Sequence, residues 1–268
     1  MLLDLTDIRA KIARAQEHRQ AIKDEIGAYF NRHPYGVTTQ ANADYTRYSI
    51  LFRVNEPPPL QRWSLMFADC LTNLRTALDY LIYAIACHEA APNPPRDSNY
   101  GFPITDSPEN FGKALNVGRL GDISTTVRAA IERVQPYNRP HEQLPPLLAI
   151  LRDMNNADKH NLVRLAFSTV AQGDVGFVGE FPEGSNWKEV TYAGEIKDGT
   201  EIFAMVCDRP APDMQYDGTI FDVTIAIFHG KRSPSDSDWM GHSEVCGLLT
   251  KIATDVRQVI YSVAGVVK

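Results

Sequence analysis

The sequence predicts an α+β fold: a helical bundle around a central long helix at about 61–90, with an antiparallel β-sheet built mainly from the later half. Three observations carry that expectation. The stretch from Gln61 to Ala90 is the longest apolar-periodic run without a proline or glycine. From Asp44 to Val54 the period changes to two, with Tyr48, Ile50, Phe52 and Val54 set against Arg47, Ser49, Leu51 and Arg53. The later chain is a series of strand-like runs separated by turn dipeptides, among them Asp198-Gly199 and Asp217-Gly218.

At 268 residues, 44% hydrophobic and 22% charged, the composition is that of an ordinary folded domain. One α+β domain is expected, its helical part about 1–165 plus 241–268 and its β part about 162–230 with strand 44–54. No apolar run reaches spanning length, and the N-terminus lacks the basic-then-apolar order of a secretory signal. The four cysteines, Cys70, Cys87, Cys207 and Cys246, show no C-x-x-C pairing, so they read as reduced thiols of a cytoplasmic protein. Net charge is −6 and uneven: 19 Lys+Arg stand against 18 Asp+Glu through Ala166, and 8 against 15 after it. The acidic second half argues against a general nucleic-acid sleeve, while the near-neutral first half leaves room for a local basic cleft.

Taken in order, Ile8, Ile12, Ala15, Ile22, Ile26 and Phe30 mark one stripe of a helix from Thr6 to Phe30. Asp4 or Thr6 can cap its start, and Asn31 to Gly36 closes it. Pro57-Pro58-Pro59 ends the strand that follows, because proline offers no N–H to a ladder. A lone strand is unstable, so this one should pair with later strands. In the central helix, Leu71, Leu74, Leu78, Leu81, Ile82 and Ile85 make a wide apolar surface. Asp69, Asn73, Thr76, Tyr80, Tyr83 and Cys87 form a semi-polar stripe, suited either to interhelical hydrogen bonds or to lining a small-molecule pocket. Short helices are expected at 107–116 and 122–134, and a longer one after Pro145-Pro146 that ends in Asp158-Lys159-His160. The run at 162–167 reads as strand or helix, with strand favoured, and strand-like runs follow at 175–181, 187–196, 201–206 and 220–228. A last amphipathic helix, about Ser243 to Val266, returns to the bundle or the sheet.

Two polar clusters sit between apolar flanks: Asn73/Arg75/Asp79/Tyr80 and Asp158/Lys159/His160. A buried Arg or Asp is costly unless paired, so the two clusters are expected to partner one another, with Asp79 or Asp158 facing Arg75. As structure, this is a hydrogen-bond network tying the central helix to the Leu147–Met154 helix. As function, Arg75 stabilises an anion such as a phosphate and His160 is a general acid or base oriented by a carboxylate, with Lys159 toward solvent. His88-Glu89 and His160 lack any metal-ligand spacing, so no metal is expected. No phosphate-binding glycine loop or nucleophile motif occurs, and no cofactor is implied.

The pieces Asn73-Leu-Arg-Thr-Ala-Leu-Asp-Tyr80, Phe102-Pro-Ile104, Gln135-Pro-Tyr137 and Asp158-Lys-His160 resemble a group of bacterial proteins of unassigned function, over roughly residues 60–165. In that group the first motif usually reads N-L-R-[ST]-A-L-D-H, whose R-x-x-x-x-H is similar to the signature of HEPN-domain ribonucleases. The resemblance implies a helical bundle that dimerises so that paired Arg and His residues form a metal-independent RNA-cleaving cleft. Tyr80 stands where that histidine would, and a phenol, which ordinarily titrates at about 10, is a poor proton shuttle at neutral pH. The expectation is therefore a HEPN-like protein that binds RNA or a partner protein, with nuclease activity degenerate or absent. Two other readings stand beside it: a small-molecule or phosphate-binding protein using Arg75 and His160, and a purely structural or interaction protein, dimeric through its long helices.

Overall fold

The computed structural model describes residues 3–92, 100–117, 120–121, 123–139, 146–158, 164–170, 177–192, 195–218, 222–228 and 244–267. It is an α+β structure, as expected, and it divides into two compact units. One comprises Met1–Lys23, Arg62–Val163 and Cys246–Lys268; the other comprises Asp24–Gln61 and Arg164–Val245. The expected helical part, about 1–165 plus 241–268, is divided between them, since 24–61 falls in the second unit.

α1 (Thr6–Phe30), which belongs to the helical unit as far as Lys23, begins where Asp4 accepts the Thr6 N–H at 2.9 Å. Its buried positions Ile8, Ala15 and Ile22 recur every seven residues, a narrow seam rather than a broad face. α2 (Leu60–Glu89) is the opposite case, with thirteen buried residues from Trp63 to Ala86, as a central helix requires. The two helices run side by side: the Cys70 thiol donates to the Ala15 carbonyl at 3.2 Å, and burial pushes that thiol up to about 12. A thiol held protonated in this way packs as a small apolar group.

Ser107 caps α3 (Pro108–Asn116), accepting from the Asn110 N–H at 3.3 Å, with Pro108 in the first turn. α4 (Thr125–Arg133) is capped from a distance. Glu89, at the end of α2, takes the Ser124 N–H at 2.7 Å and its hydroxyl at 2.6 Å, placing a carboxylate at the positive end of α4. A 3-10 turn follows at Pro136–Asn138, then α5 (Leu147–Asp158) and, at the chain's end, α6 (Val245–Ala264). Every position of the expected α6 stripe, from Val245 to Val263, is buried. Arg139 pairs with buried Asp255 of α6 at 2.5 Å, and Arg19 of α1 reaches Thr250 at 3.0 Å, so α6 returns to the helices.

The other unit contains a four-stranded antiparallel sheet. Its first pair is β1 (Tyr35–Ala41) with β2 (Arg47–Val54), in register from Tyr35 opposite Val54 to Ala41 opposite Tyr48. Polar β1 carries no alternation of its own, and the sequence pattern predicts no strand there. The hairpin is closed by Asn42, whose side chain accepts from the N–H groups of Thr46 and Arg47. The remaining strands are β3 (Arg164–Val170), β4 (Phe177–Val178), β5 (Trp187–Thr191), β6 (Glu195–Ile196), β7 (Glu201–Cys207), β8 (Gln215–Tyr216) and β9 (Asp222–Phe228). The first sheet has the order β1-β2-β7-β5, the second β6-β3-β9, and β4 pairs with β8.

The expected strand at 187–196 is thus two strands in two sheets. Asp198-Gly199 does turn the chain, with Gly199 at φ +80, but it also docks on β2: Gly199 N–H donates to Phe52 and Asp198 accepts from Val54. As expected, β2 pairs with a later strand, and Arg47 and buried Ser49 of β2 both bond the Glu201 carboxylate of β7. That pairing holds Glu201 below the usual carboxylate range.

Candidate functional site

The first polar cluster resolves into a clamp on a neighbouring backbone. Arg75 and Asp79 lie one turn apart on α2, and the Arg75 Nη2 donates to Asp79 Oδ1 at 2.8 Å. The same nitrogen donates to the Phe102 carbonyl at 2.6 Å, while Asp79 Oδ1 accepts the Phe102 N–H at 2.9 Å. One ion pair therefore satisfies both polar groups of a fully buried phenylalanine.

The next residues of that segment are held by the Gln135 side chain. Its amide nitrogen donates to the carbonyls of Pro103 at 2.8 Å and Ile131 at 3.1 Å. Its oxygen accepts from the Thr105 N–H at 2.9 Å and hydroxyl at 3.2 Å. Gln135 is 0% exposed, and this arrangement uses its donor and acceptor faces together. Arg152 of α5 adds an ion pair to Asp106 at 2.7 Å. Three of the quoted sequence pieces, 73–80, 102–104 and 135–137, thus meet around one extended segment, and what they do there is hold it.

Asn73 turns its amide back onto the Asp69 carbonyl of its own helix at 2.8 Å. Asp158 is the last residue of α5 and is half-buried. Lys159 and His160 fall outside the described residues, so the expected meeting of Arg75 with His160 does too. Thr72 of α2 donates to buried Asn155 of α5 at 3.3 Å.

Tyr80 is separated from the clamp. It is 40% exposed and faces the start of α1, where the Lys11 ammonium lies 5.8 Å from its ring centroid. Tyr80, Tyr83 and Cys87, the upper half of the semi-polar stripe, line a groove of about 690 Å³. The opposite wall is the start of α1, with Asp4 and Asp7; Ile8 and Ala84 also line it, and His88 lies at one end. Tyr83 is hydrogen-bonded to Cys87, which raises the phenol above its ordinary range. Sequence reasoning named the stripe as a pocket lining but missed the α1 wall, because nothing in Asp4 or Asp7 distinguishes them from ordinary helix-start carboxylates.

Behind Tyr83 stands Tyr100, edge-on at 6.1 Å. Gly121 sits against Tyr100 at φ +53, and a methyl built on it would lie 2.5–2.8 Å from the ring. Gly121→Ala is therefore expected to cost about 1–2 kcal/mol in backbone strain alone. It should also push Tyr100 onto Tyr83. A lowered melting temperature with shifted Tyr83 ring resonances checks this.

Fold and site together define an α+β protein whose helical unit carries an aromatic, acid-walled groove and, separately, a clamp on a buried backbone segment. Comparison with protein-family models, curated proteins and solved structures finds no match for this chain. Among the described residues no helix is long and apolar enough to cross a membrane, and no three His, Cys, Asp or Glu side chains gather to hold a metal ion.

Proposed function

We propose that this protein acts by binding a partner rather than by cleaving RNA, as a HEPN-like helical protein without the nuclease chemistry. The observation that carries the reading is the engagement of Arg75. Its Nη2 is committed to Asp79 at 2.8 Å and to the Phe102 carbonyl at 2.6 Å, bonds that hold the fold and leave that nitrogen unsuited to a scissile phosphate. Tyr80, at the position of the histidine in the resemblance, is turned to the α1 groove, and a phenol is no substitute for an imidazole in moving protons at neutral pH. The net charge of −6 and the carboxylates on the groove wall disfavour a polyanion and favour a protein or small-molecule partner.

The test is incubation of labelled single- and double-stranded RNA with wild type, Arg75→Ala and Tyr80→His. No cleavage is expected from any of the three. Tyr80→His is the sharper variant, because restoring the histidine does not release Arg75 from its clamp. Cleavage by wild type that disappears in Arg75→Ala overturns the proposal. Sedimentation in the same buffer reads whether two copies pair, as the resemblance implies.

A further inference from the structure

We infer that the groove between the start of α1 and the last turns of α2 binds a small guanidinium compound; this deepens the binding reading above and rests on it. Its volume, about 690 Å³, is that of a small-molecule site. The walls are of two kinds. Asp4 and Asp7 supply formal negative charge, and Tyr80 and Tyr83, 40% and 46% exposed, supply aromatic surface. Buried Ile8 and half-buried Ala84 complete an apolar surface for the body of a ligand.

Among the described residues no Lys or Arg lines the groove, and His88 is the one basic side chain in its wall. An anion would meet two carboxylates there, with the Lys11 ammonium over Tyr80 as the neighbouring positive charge. A cation meets both carboxylates and ring faces that attract it. The structure already places a cation on one of these rings, since the Lys11 ammonium lies over Tyr80 at 5.8 Å. Carboxylates call for N–H donors and tyrosine faces for a flat, weakly hydrated group. Guanidinium meets both demands, whereas a quaternary ammonium meets only the second. The ligand head would take the place of Lys11 on Tyr80 or occupy Tyr83 beside it. Each contact is of the exposed kind, so the affinity expected is about millimolar and weakened by salt.

The experiment is a titration of the full chain with agmatine, followed by tyrosine ring resonances and calorimetry. The comparison ligands are the urea isostere of agmatine, tetramethylammonium, inorganic phosphate and a single-stranded RNA. Agmatine is expected to bind, with the urea isostere, which keeps only the ammonium end's charge, and tetramethylammonium weaker, and phosphate silent. The double variant Asp4→Asn/Asp7→Asn should weaken agmatine by about tenfold. Asp4→Asn keeps a side-chain oxygen for the Thr6 N–H, so the double variant should stay folded, with only the small loss of two helix-start charges in its melting temperature. Tyr80→Leu, which keeps bulk but loses the ring face, should weaken binding by roughly threefold. Absence of agmatine binding, equal binding of the isostere, or binding unchanged in the double variant overturns the assignment. If that happens without RNA cleavage, the binding reading of the protein stands and only this site falls; RNA cleavage removes both.

Discussion

Gln135→Leu is expected to destabilise the helical unit by about 3–4 kcal/mol, a fall of roughly 6–15 °C in melting temperature. The substitution keeps most of the volume, so the loss is polar. Four hydrogen bonds disappear at a side chain with 0% exposure, two of them to buried carbonyls and two to half-buried Thr105. The Pro103 carbonyl and the Thr105 N–H are the costly ones, since backbone groups cannot turn away to find another partner. Gln135→Glu separates the two faces of the amide. It keeps the acceptor for Thr105 and loses the donors to Pro103 and Ile131, and it buries a carboxylate as well. Thermal and denaturant unfolding of both variants measure this. A leucine variant melting within about 2 °C of wild type would show that the 102–105 segment is held by other means.

Arg75→Ala is expected to cost about 2–3 kcal/mol. It leaves the Phe102 carbonyl without its charged donor and leaves Asp79 a carboxylate without its counter-ion. The loss stays below that of a fully buried pair, because the Asp79 side chain is 33% exposed and water screens the orphan. Arg75→Lys should recover only part of the loss, since a flexible, strongly hydrated ammonium is less pre-organised than the planar guanidinium whose Nη2 serves both oxygens. The double variant Arg75→Ala/Asp79→Ala should lose less than the sum of its single changes. A protein that melts like wild type after Arg75→Ala would remove the clamp as the role of this residue. It would also return Arg75 to the list of groups available for chemistry.

Much of the helical unit was legible because burial imposes a period. Ile8, Ala15 and Ile22, the apolar run from Leu71 to Ile85, and the stripe from Val245 to Val263 are all where a 3.6-residue repeat puts them. The alternation of Tyr48, Ile50 and Phe52 marked β2 in the same way, and all three are buried. The strands that escaped, or were merged, are those whose partners decide them. β1 is a strand because β2 lies beside it along seven residues, and β6 leaves the run begun by β5 because β3 offers it a ladder. Strand pairing is a long-range choice, and a short polar segment carries little local trace of it.

The candidate site divides along the same line. Spacing alone gave the Arg75–Asp79 pair, since residues four apart on a helix are neighbours. It also picked out the stripe that holds Tyr80, Tyr83 and Cys87. What the sequence by itself determined, then, is which residues must be buried, which helices and strands they build, and which polar side chains need partners. Only the tertiary structure decided who those partners are: Phe102 for Arg75, the 103–105 backbone for Gln135, and the start of α1 for Tyr80. The physical reason is that a backbone carbonyl is the same group in every residue, so no letter of the sequence announces which one a guanidinium or an amide will reach. A hydrogen bond is selected by a few tenths of an ångström, and that precision comes from packing elements far apart in the chain.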